Sequence, residues 1–558
     1  MSGKAVAWAV AGVTTGVIVM GALVLGGLAL FRPDLPETAS PPPRFLEESS
    51  AAGLDHVYDG EFQYFVGGGV AVLDCDEDGW PDLYLAGGEG SDSLYRNISQ
   101  VGGPLSFAEV HGAGTGLTAV TGAYPIDIDS DNHTDLAVLR VGEDVLLRGL
   151  GDCVFEPSNE KWSIEAADDW TVGFSATWEG ASSFPTMAFG NYLAEGGQTS
   201  GECEDHRLFR PEDADSGPQS PAQGYGRPVS LSPGFCTLSI LFSDWDRSGR
   251  RDLRMTNDRH YYRNGEEQLW RVAQGDEPRL YTREDGWQPM QIWGMGIAGR
   301  DVTGDGLPEY FLTSQGDNKL QTLADGPSQP EYVDIAFERG LTAHRPYAGD
   351  VSAPSTAWHP EFEDVNNDSL VDLFVSKGNV ESQVGYAARD PSNLLLGNPD
   401  GTFTEAAAQA GIVDFARSRG AALADFNLDG MLDLVEVTRR ENVRLWRNVG
   451  WGDEAGPREM GNWVALDLQQ PAPNVDAIGS WVELRVGNRV LEKEITIGGG
   501  HAGGQLGWAH FGVGEADSVE VRVQWPDGEK GRWVEVGTNQ FAIIERDAPE
   551  AVVWDPAG

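Results

Sequence analysis

Six segments of the chain repeat one spacing of oxygen-bearing side chains. The first holds Asp74, Asp76, Asp78 and Asp82, and the second Asp127, Asp129, Asp131 and Asp135. A third holds Asp244, Asp246, Ser248 and Asp252, and a fourth Asp301, Thr303, Asp305 and Glu309. The last two are Asp364, Asn366, Asp368 and Asp372, then Asp425, Asn427, Asp429 and Asp433. Each set occupies positions 1, 3, 5 and 9 of its loop, and most loops are followed by an apolar run such as Leu83-Tyr84-Leu85. Successive loops start 53, 117, 57, 63 and 61 residues apart. The 117-residue gap is two periods, so a seventh unit without acidic ligands is expected inside it, at residues 173–193.

A second motif alternates with the first. Phe45-Leu46-Glu47 precedes Gly53-Leu54, and Phe107-Ala108-Glu109 precedes Gly116-Leu117. Tyr332-Val333-Asp334 precedes Gly340-Leu341, and Phe403-Thr404-Glu405 precedes Gly411-Ile412. Short strands between Gly-rich turns at even spacing point to an all-β repeat. About four strands per unit and seven units give a ring of blades. The fold expected is all-β: a seven-bladed β-propeller over residues 44–457. The last loop unit ends at Leu445-Trp446-Arg447-Asn448 with no aromatic-acidic strand after it. Residues 44–54 are expected to return and complete that last blade.

Alternating aspartates in a tight loop turn every second side chain inward. Hard cations such as calcium take six to eight oxygens, from carboxylates and backbone carbonyls alike. The loops are therefore expected to hold up to six calcium ions. Position 9 would close each cage, and the carbonyls of Trp80, His133, Leu307, Leu370 and Met431 at position 7 would add to it. Gly79, Gly306 and Gly430 at position 6 suit the sharp turn. An EF-hand needs Glu at position 12 between flanking helices, and position 12 of the first loop is Leu85. The competing reading is a set of Asp-rich turns without metal. It is strongest for the Asp244 loop, where Ser248 replaces an aspartate and Arg247, Arg250 and Arg251 crowd in.

The chain carries 87 acidic and 39 basic residues, a formal charge of −48. Nucleic-acid binders need clustered Lys and Arg, so no nucleic-acid partner is expected. Twenty of the 87 acids occupy positions 1, 3, 5 and 9 of the six loops, and six divalent ions would bring −48 only to −36. Extracellular calcium modules bind at roughly 10⁻⁴–10⁻³ M, which fills them outside a cell and empties them in cytosol. The loops are thus expected in a periplasmic or extracellular compartment. Residues 5–31 carry no charge over 27 positions, and about 20 suffice to span a bilayer. A single-pass signal anchor is read there, with a cytoplasmic stub at 1–4 and a Pro-rich linker at 32–43; a cleaved signal peptide is the alternative. Cys203 and Cys236 bracket a polar, Pro-rich insertion, so either a disulfide or two free thiols fit.

Residues 462–545 alternate apolar and polar, as in Trp463–Leu468, Trp481–Val486 and Val519–Trp525. A small antiparallel, β-sandwich-like domain is expected over 458–547, with a tail at 548–558. The loop units resemble the FG-GAP/VCBS repeats of integrin α-subunit propellers and many bacterial surface proteins. Asn462-Trp463-Val464, Ala477-Ile478-Gly479-Ser480, residues 497–501 (IGGGH), residues 510–514 (HFGVG) and residues 523–528 (VQWPDG) resemble the ASPIC and UnbV domain. The combination is similar to the cartilage acidic protein 1 family. Two departures are Val513, where that family usually has Leu, and Asn474-Val475-Asp476, where it usually has Asn-Arg. The resemblance implies protein or glycan binding at the propeller face, with no agreed activity.

No residue set suggests a catalytic triad, and residues 498–505 (GGGHAGGQ) lack the Lys-Ser/Thr of a phosphate loop and read as a turn. His501 and His510 read as structural rather than as ligands. Three classes remain open: a binding or adhesion protein, an accessory subunit of a membrane complex, and a polysaccharide-acting enzyme. Lysine, at 6 of 39 basic residues, is scarce for the third.

Overall fold

The computed structural model describes residues 40–556 except 166, 195–201, 213–223, 259–264 and 453–455. Among them no helix is long and apolar enough to cross a membrane. The span expected at 5–31, with its stub and most of its linker, lies outside the described residues.

Seven four-stranded units follow one another, giving a propeller-like all-β ring. Blade 1 runs Val70–Leu73, Asp82–Leu85, Ser93–Asn97, Phe107–Glu109, each strand antiparallel to the next. Its inner strand is wholly buried, its outer strand only at Phe107. The same gradient marks the outer strands at Phe45, Phe155 and Tyr332, where one aromatic anchors a strand whose other residues face water. The inner strand of each blade lies against the inner strand of the next, and that of blade 7, Arg417–Ala424, returns to Val70–Leu73. Blade 3 is the unit without acidic ligands. Its strands are Asp169–Thr177, Thr186–Asn191, His206–Phe209 and Val229–Leu231, and Asp169 and Trp170 also pair with blade 2.

Blade 7 is closed by the N-terminus. Phe45–Glu47 pairs antiparallel with Arg444–Asn448, with Phe45 opposite Asn448 and Glu47 opposite Trp446. Two disulfides brace the ring: Cys203–Cys236, which ties blade 3 to the residue before blade 4's inner strand (Thr237–Ser243), and Cys75–Cys153, which joins blades 1 and 2. The second pairing had no signal in the sequence, because its partners are 78 residues apart.

The C-terminal domain is two four-stranded sheets. One is Ala509–Gly514, Asn462–Gln469, Gln540–Glu545 and Val552–Trp554; the other is Arg489–Glu494, Trp481–Val486, Ser518–Gln524 and Val534–Gly537. Val464, Leu466, Val482, Leu484, Phe511 and Val521 fill the space between them. Two expectations change. Asn462–Gln469 pairs in parallel with Gln540–Glu545, so the domain is not wholly antiparallel. Residues 548–558 are not merely a tail: Val552–Trp554 adds a strand, held by Trp554 packing on Trp508 at 5.2 Å and Phe541 at 5.6 Å.

The Gly-rich segment is no solvent turn. Ile497 to Gln505 enters the axis of the ring, and bridges form from Ile497 to Ala176, Gly498 to Leu241, Gly500 to Ile297, Gly503 to Ala123 and Gln505 to Val72. Five inner strands thus gain main-chain partners, for example Ala123 N to Ala502 O at 3.1 Å and Gly499 N to Ile240 O at 2.7 Å. Blade 6 is reached through His501 N, which donates to His359 Nδ1 at 3.0 Å. Unpaired strand edges lining a dry channel would be costly, and this plug satisfies them. Glycine is required on both sides: a Cβ on Gly122 would lie 1.9 Å from Ala502 O, and one on Gly503 2.1 Å from Val70 O. His501 is fully buried, donating from Nδ1 to Met295 O at 3.0 Å and accepting from Gly67 N at Nε2 at 3.2 Å.

Deleting residues 44–54 removes the closing strand with buried Phe45 and Leu54. At about 1.5–3 kcal/mol per buried side chain and roughly 2–4 °C per kcal/mol, calorimetry should show Tm falling by about 10 °C or more; an unchanged Tm would refute closure. Burial holds the His501 imidazole down at about 3, against about 6.5 when unfolded. Between these values only the unfolded chain binds the proton, so the contribution is full above pH 6.5 and shrinks as pH falls toward 3. The His501→Gln variant should be less stable at pH 7 yet lose less stability than wild type between pH 7 and 5, measured by urea unfolding.

Candidate functional site

The six Asp loops share one backbone. Positions 4 and 6 are left-handed in every loop, including Leu428 at φ 53° and Asn132 at φ 68°. Gly430 takes φ 82° at position 6, where a Cβ would be strained. The position 1 carboxylate accepts from the position 6 N–H throughout: Gly79 to Asp74 at 2.7 Å, Asn132 to Asp127 at 2.9 Å, Gly249 to Asp244 at 2.9 Å, Gly306 to Asp301 at 2.9 Å, Ser369 to Asp364 at 2.7 Å and Gly430 to Asp425 at 2.7 Å. The position 5 carboxylate accepts from the position 7 N–H in five loops, at Asp78, Asp131, Asp305, Asp368 and Asp429.

Position 9 does more than close a cage. Asp82 accepts from Cys75 N at 2.9 Å and from Asn97 N, on the third strand, at 2.7 Å. Asp135, Asp372 and Asp433 repeat this with Ile128 and Gly149, Val365 and Gly397, and Phe426 and Asn448. The aspartate staples its loop to the blade, and this explains its recurrence apart from any metal.

The oxygens left over converge. One oxygen each of Asp74, Asp76 and Asp78, and likewise of Asp127, Asp129 and Asp135, lie within 4.8 Å of one another. Asp76 Oδ1, Asp129 Oδ1 and Asn427 Oδ1 are buried without a hydrogen-bond partner. Burial pushes the Asp74 and Asp127 carboxyls up to about 6, and Asp82, Asp135, Asp364, Asp372, Asp425 and Asp433 are likewise raised, chiefly by burial. Such a set of desolvated carboxylates fits a hard cation, which would restore the charge that burial disfavours.

The loops differ in what already balances them. Arg96 pairs with Asp76, and Arg148 with Asp131 and with Asp129 at 2.7 Å, so a cation there would compete with a guanidinium. In the Asp301 loop, Glu309 reaches back to accept from Val302 N and Thr303 N, and Thr303 Oγ1 donates to it at 3.2 Å. No arginine pairs with Asp364, Asp368, Asp425 or Asp429 among the ion pairs of the described residues. The Asp244 loop contains its own cation. Arg250 Nε donates to Asp252 Oδ1 at 3.0 Å, and its Nη2 lies 3.5 Å from Asp246. Trp245 Nε1 and Tyr281 OH also donate to Asp252. This loop does not fit a metal as it stands. Nor does the cluster of Cys75, Asp82 and Cys153, whose sulfurs are bonded to each other.

All six loops face the C-terminal domain. Trp508 Nε1 donates to Gly79 O at 3.0 Å, Asn474 N to Ser130 Oγ at 3.2 Å, and Asp244 N to Glu494 at 2.8 Å. Arg247 reaches Glu492 at 2.6 Å and lies over Trp481 at 4.1 Å, and Asn367 Oδ1 pairs with His510 Nε2 at 2.8 Å. Gly306 sits beside Glu492 and Gly430 beside Trp463. The loops therefore line an interface, which their spacing alone could not show.

Replacing Arg250 by Ala leaves Asp246 and Asp252 without their cation. Because Arg250 is partly exposed, a loss of roughly 1–3 kcal/mol is expected in denaturant unfolding with chelator. Millimolar calcium should recover part of that loss in Arg250→Ala more than in wild type; no loss at all would show that Arg250 carries no such load.

The ASPIC and UnbV family profile matches residues 470–551, and the FG-GAP-like repeat profile matches residues 74–138 and 364–436. Human cartilage acidic protein 1 is 30% identical over 214 residues, 36% of this chain and 30% of that protein, and the mouse protein aligns equally. The chain thus matches about 30% of the length of these curated relatives. Among solved structures, Trypanosoma rangeli sialidase in complex with sialic acid is 10% identical at TM-score 0.35, covering 68% of this chain and 58% of that one. The calcium structure of a Trichoderma reesei family AA12 carbohydrate-active enzyme is 8% identical at TM-score 0.34, covering 75% and 98%. Both scores are low, and these likenesses do not bear on function. The chain thus carries matches to the FG-GAP-like repeat and to the ASPIC and UnbV domain, and over part of its length it is similar to cartilage acidic protein 1.

Proposed function

We propose that this is a membrane-tethered, extracytoplasmic binding protein, in which calcium in the Asp loops braces a rigid seven-bladed ring and its docked C-terminal domain. The observation that carries this reading is the position of the loops. Their converging, partly unpartnered oxygens lie under the C-terminal domain, where an ion would stiffen the interface. Asp74, Asp76 and Asp78, and their counterparts from Asp127, Asp364 and Asp425, would hold the ions; the ion's part is electrostatic, relieving buried negative charge. Residues 5–31 would anchor the chain, which places the loops where calcium is plentiful.

The end of the ring away from the Asp loops is left for a partner. There the half-buried Phe62, Trp293 and Val380 edge a buried aromatic cluster containing Trp170 and Trp358. Phe62 meets Trp170 at 5.7 Å, and Val384 nearby in sequence to Val380 is 97% exposed. Aromatic surface of this kind suits a protein side chain or the apolar face of a sugar.

Pull-down from membranes in gentle detergent, with calcium and then with chelator, tests the reading. A specific protein or glycan retained with calcium and lost with chelator is expected, with a Tm several degrees lower in chelator. Equal Tm and equal capture in both conditions would refute the calcium brace, and polysaccharide turnover would replace binding by catalysis.

A further inference from the structure

Between the Asp-loop face and the C-terminal domain lies a cavity of about 600 Å³. Its lining includes the exposed Glu77, Gln469 and Gly507, so it communicates with solvent. Arg300, Glu363, Lys493 and His510 also line it. Arg300 ends the inner strand of blade 5 (Gly294–Arg300), and Glu363 ends that of blade 6 (Ala357–Glu363). Lys493 and His510 come from the C-terminal domain. Arg300 lies over Phe511, the residue after His510, at 5.4 Å, and Lys493 pairs with Glu363, so the four share one neighbourhood.

Their internal pairing is incomplete. Lys493 pairs with Glu363 Oε1, and His510 Nε2 pairs with Asn367 Oδ1 at 2.8 Å. Arg300 Nε and Nη1, Glu363 Oε2 and His510 Nδ1 are left buried with no hydrogen-bond partner, on residues only 5%, 7% and 4% exposed. Buried polar atoms are almost always satisfied, and a charged one left alone is costly. The unpaired set has a definite polarity. Arg300 offers two cationic N–H donors. Glu363 offers an acceptor. His510 offers a second, because its Nε2 faces an amide oxygen and so carries the proton, which leaves a lone pair on Nδ1.

We propose that this cavity binds a small carboxylate with a hydrogen-bond donor beside it, an amino acid or a hydroxy acid, whose carboxylate accepts from Arg300 and whose ammonium or hydroxyl donates to Glu363 and His510. Arginine matches a carboxylate geometrically. Trp508 and Phe541, 4.9 Å apart, also line the cavity and leave an apolar wall for a side chain. The cavity lies at the opposite end of the ring from the aromatic surface offered to a partner, although Asp74, Asp127 and Asp425 of the Asp loops also line it, so the proposal stands or falls independently of the partner reading above.

Titration calorimetry on the full-length protein with calcium present, using L-alanine, L-lactate and propionate, tests this. The three share a carbon skeleton and differ only in bearing an ammonium, a hydroxyl or neither. Saturable binding of alanine or lactate, at least tenfold tighter than propionate, is expected. Tighter alanine identifies an amino-acid site and tighter lactate a hydroxy-acid site. Arg300→Gln should weaken the preferred ligand at least tenfold with an unchanged far-UV spectrum. If that variant does not fold, Glu363→Leu carries the test with the same expected loss. No saturable binding of any of the three, propionate binding as well as the others, or affinity unchanged in a folded variant would overturn the proposal and leave ordered water as the occupant.

Discussion

The contact on which the rest of the molecule depends is main chain against main chain, along the axis of the ring. A closed ring of blades turns seven inner strands toward one channel. Each brings N–H and C=O groups that need partners once water is excluded. Here residues 497–505 supply them for five strands and reach a sixth through His359. Because the segment belongs to the C-terminal domain, the same hydrogen bonds that satisfy the channel also fix where that domain sits. Its position over the Asp loops, and the cavity between them, follow from the plug.

That placement gives the Asp loops two tasks. Positions 1 and 9 organise the turn and staple it to the blade through backbone N–H groups, and would do so in a turn without metal. Position 3 is the one with oxygen to spare, at Asp76, Asp129 and Asn427. Charge there is costly to bury alone, and the loops differ in whether it is balanced. In some loops a guanidinium crosses the carboxylates, most completely with Arg250 in the Asp244 loop. In others, as at Asn427, an oxygen is left without a partner. The loops are thus graded rather than equivalent, although their backbones are alike.

The same acidity shapes the domain interface. Arg247, Arg251 and Arg489 reach from one domain to the other, to Glu492, to Gly479 O and to Ser369 respectively. Arginine serves here because its fixed fork of donors can bind carboxylates and carbonyls together. Indole rings do the remaining work, with Trp463 against Gly430 and Trp554 against Gly79. The position 6 glycines, which take the left-handed turn without strain, also let these rings approach.

The repeat, the blade ring and its N-terminal closure are legible in the amino-acid sequence, since spacing and strand pattern are local properties repeated often enough to be read. The sequence also marked the Asp244 loop as anomalous, because charge crowding shows in a linear string. The boundary of the C-terminal domain was only partly legible: Val552–Trp554 is too short to announce a strand before Phe541 and Trp508 are seen to hold it. Cys75–Cys153, the glycine plug and the Arg300 cluster were decided by tertiary structure alone. Each joins residues far apart in sequence, and their pairing depends on backbone approach and lost solvent, which no local pattern encodes.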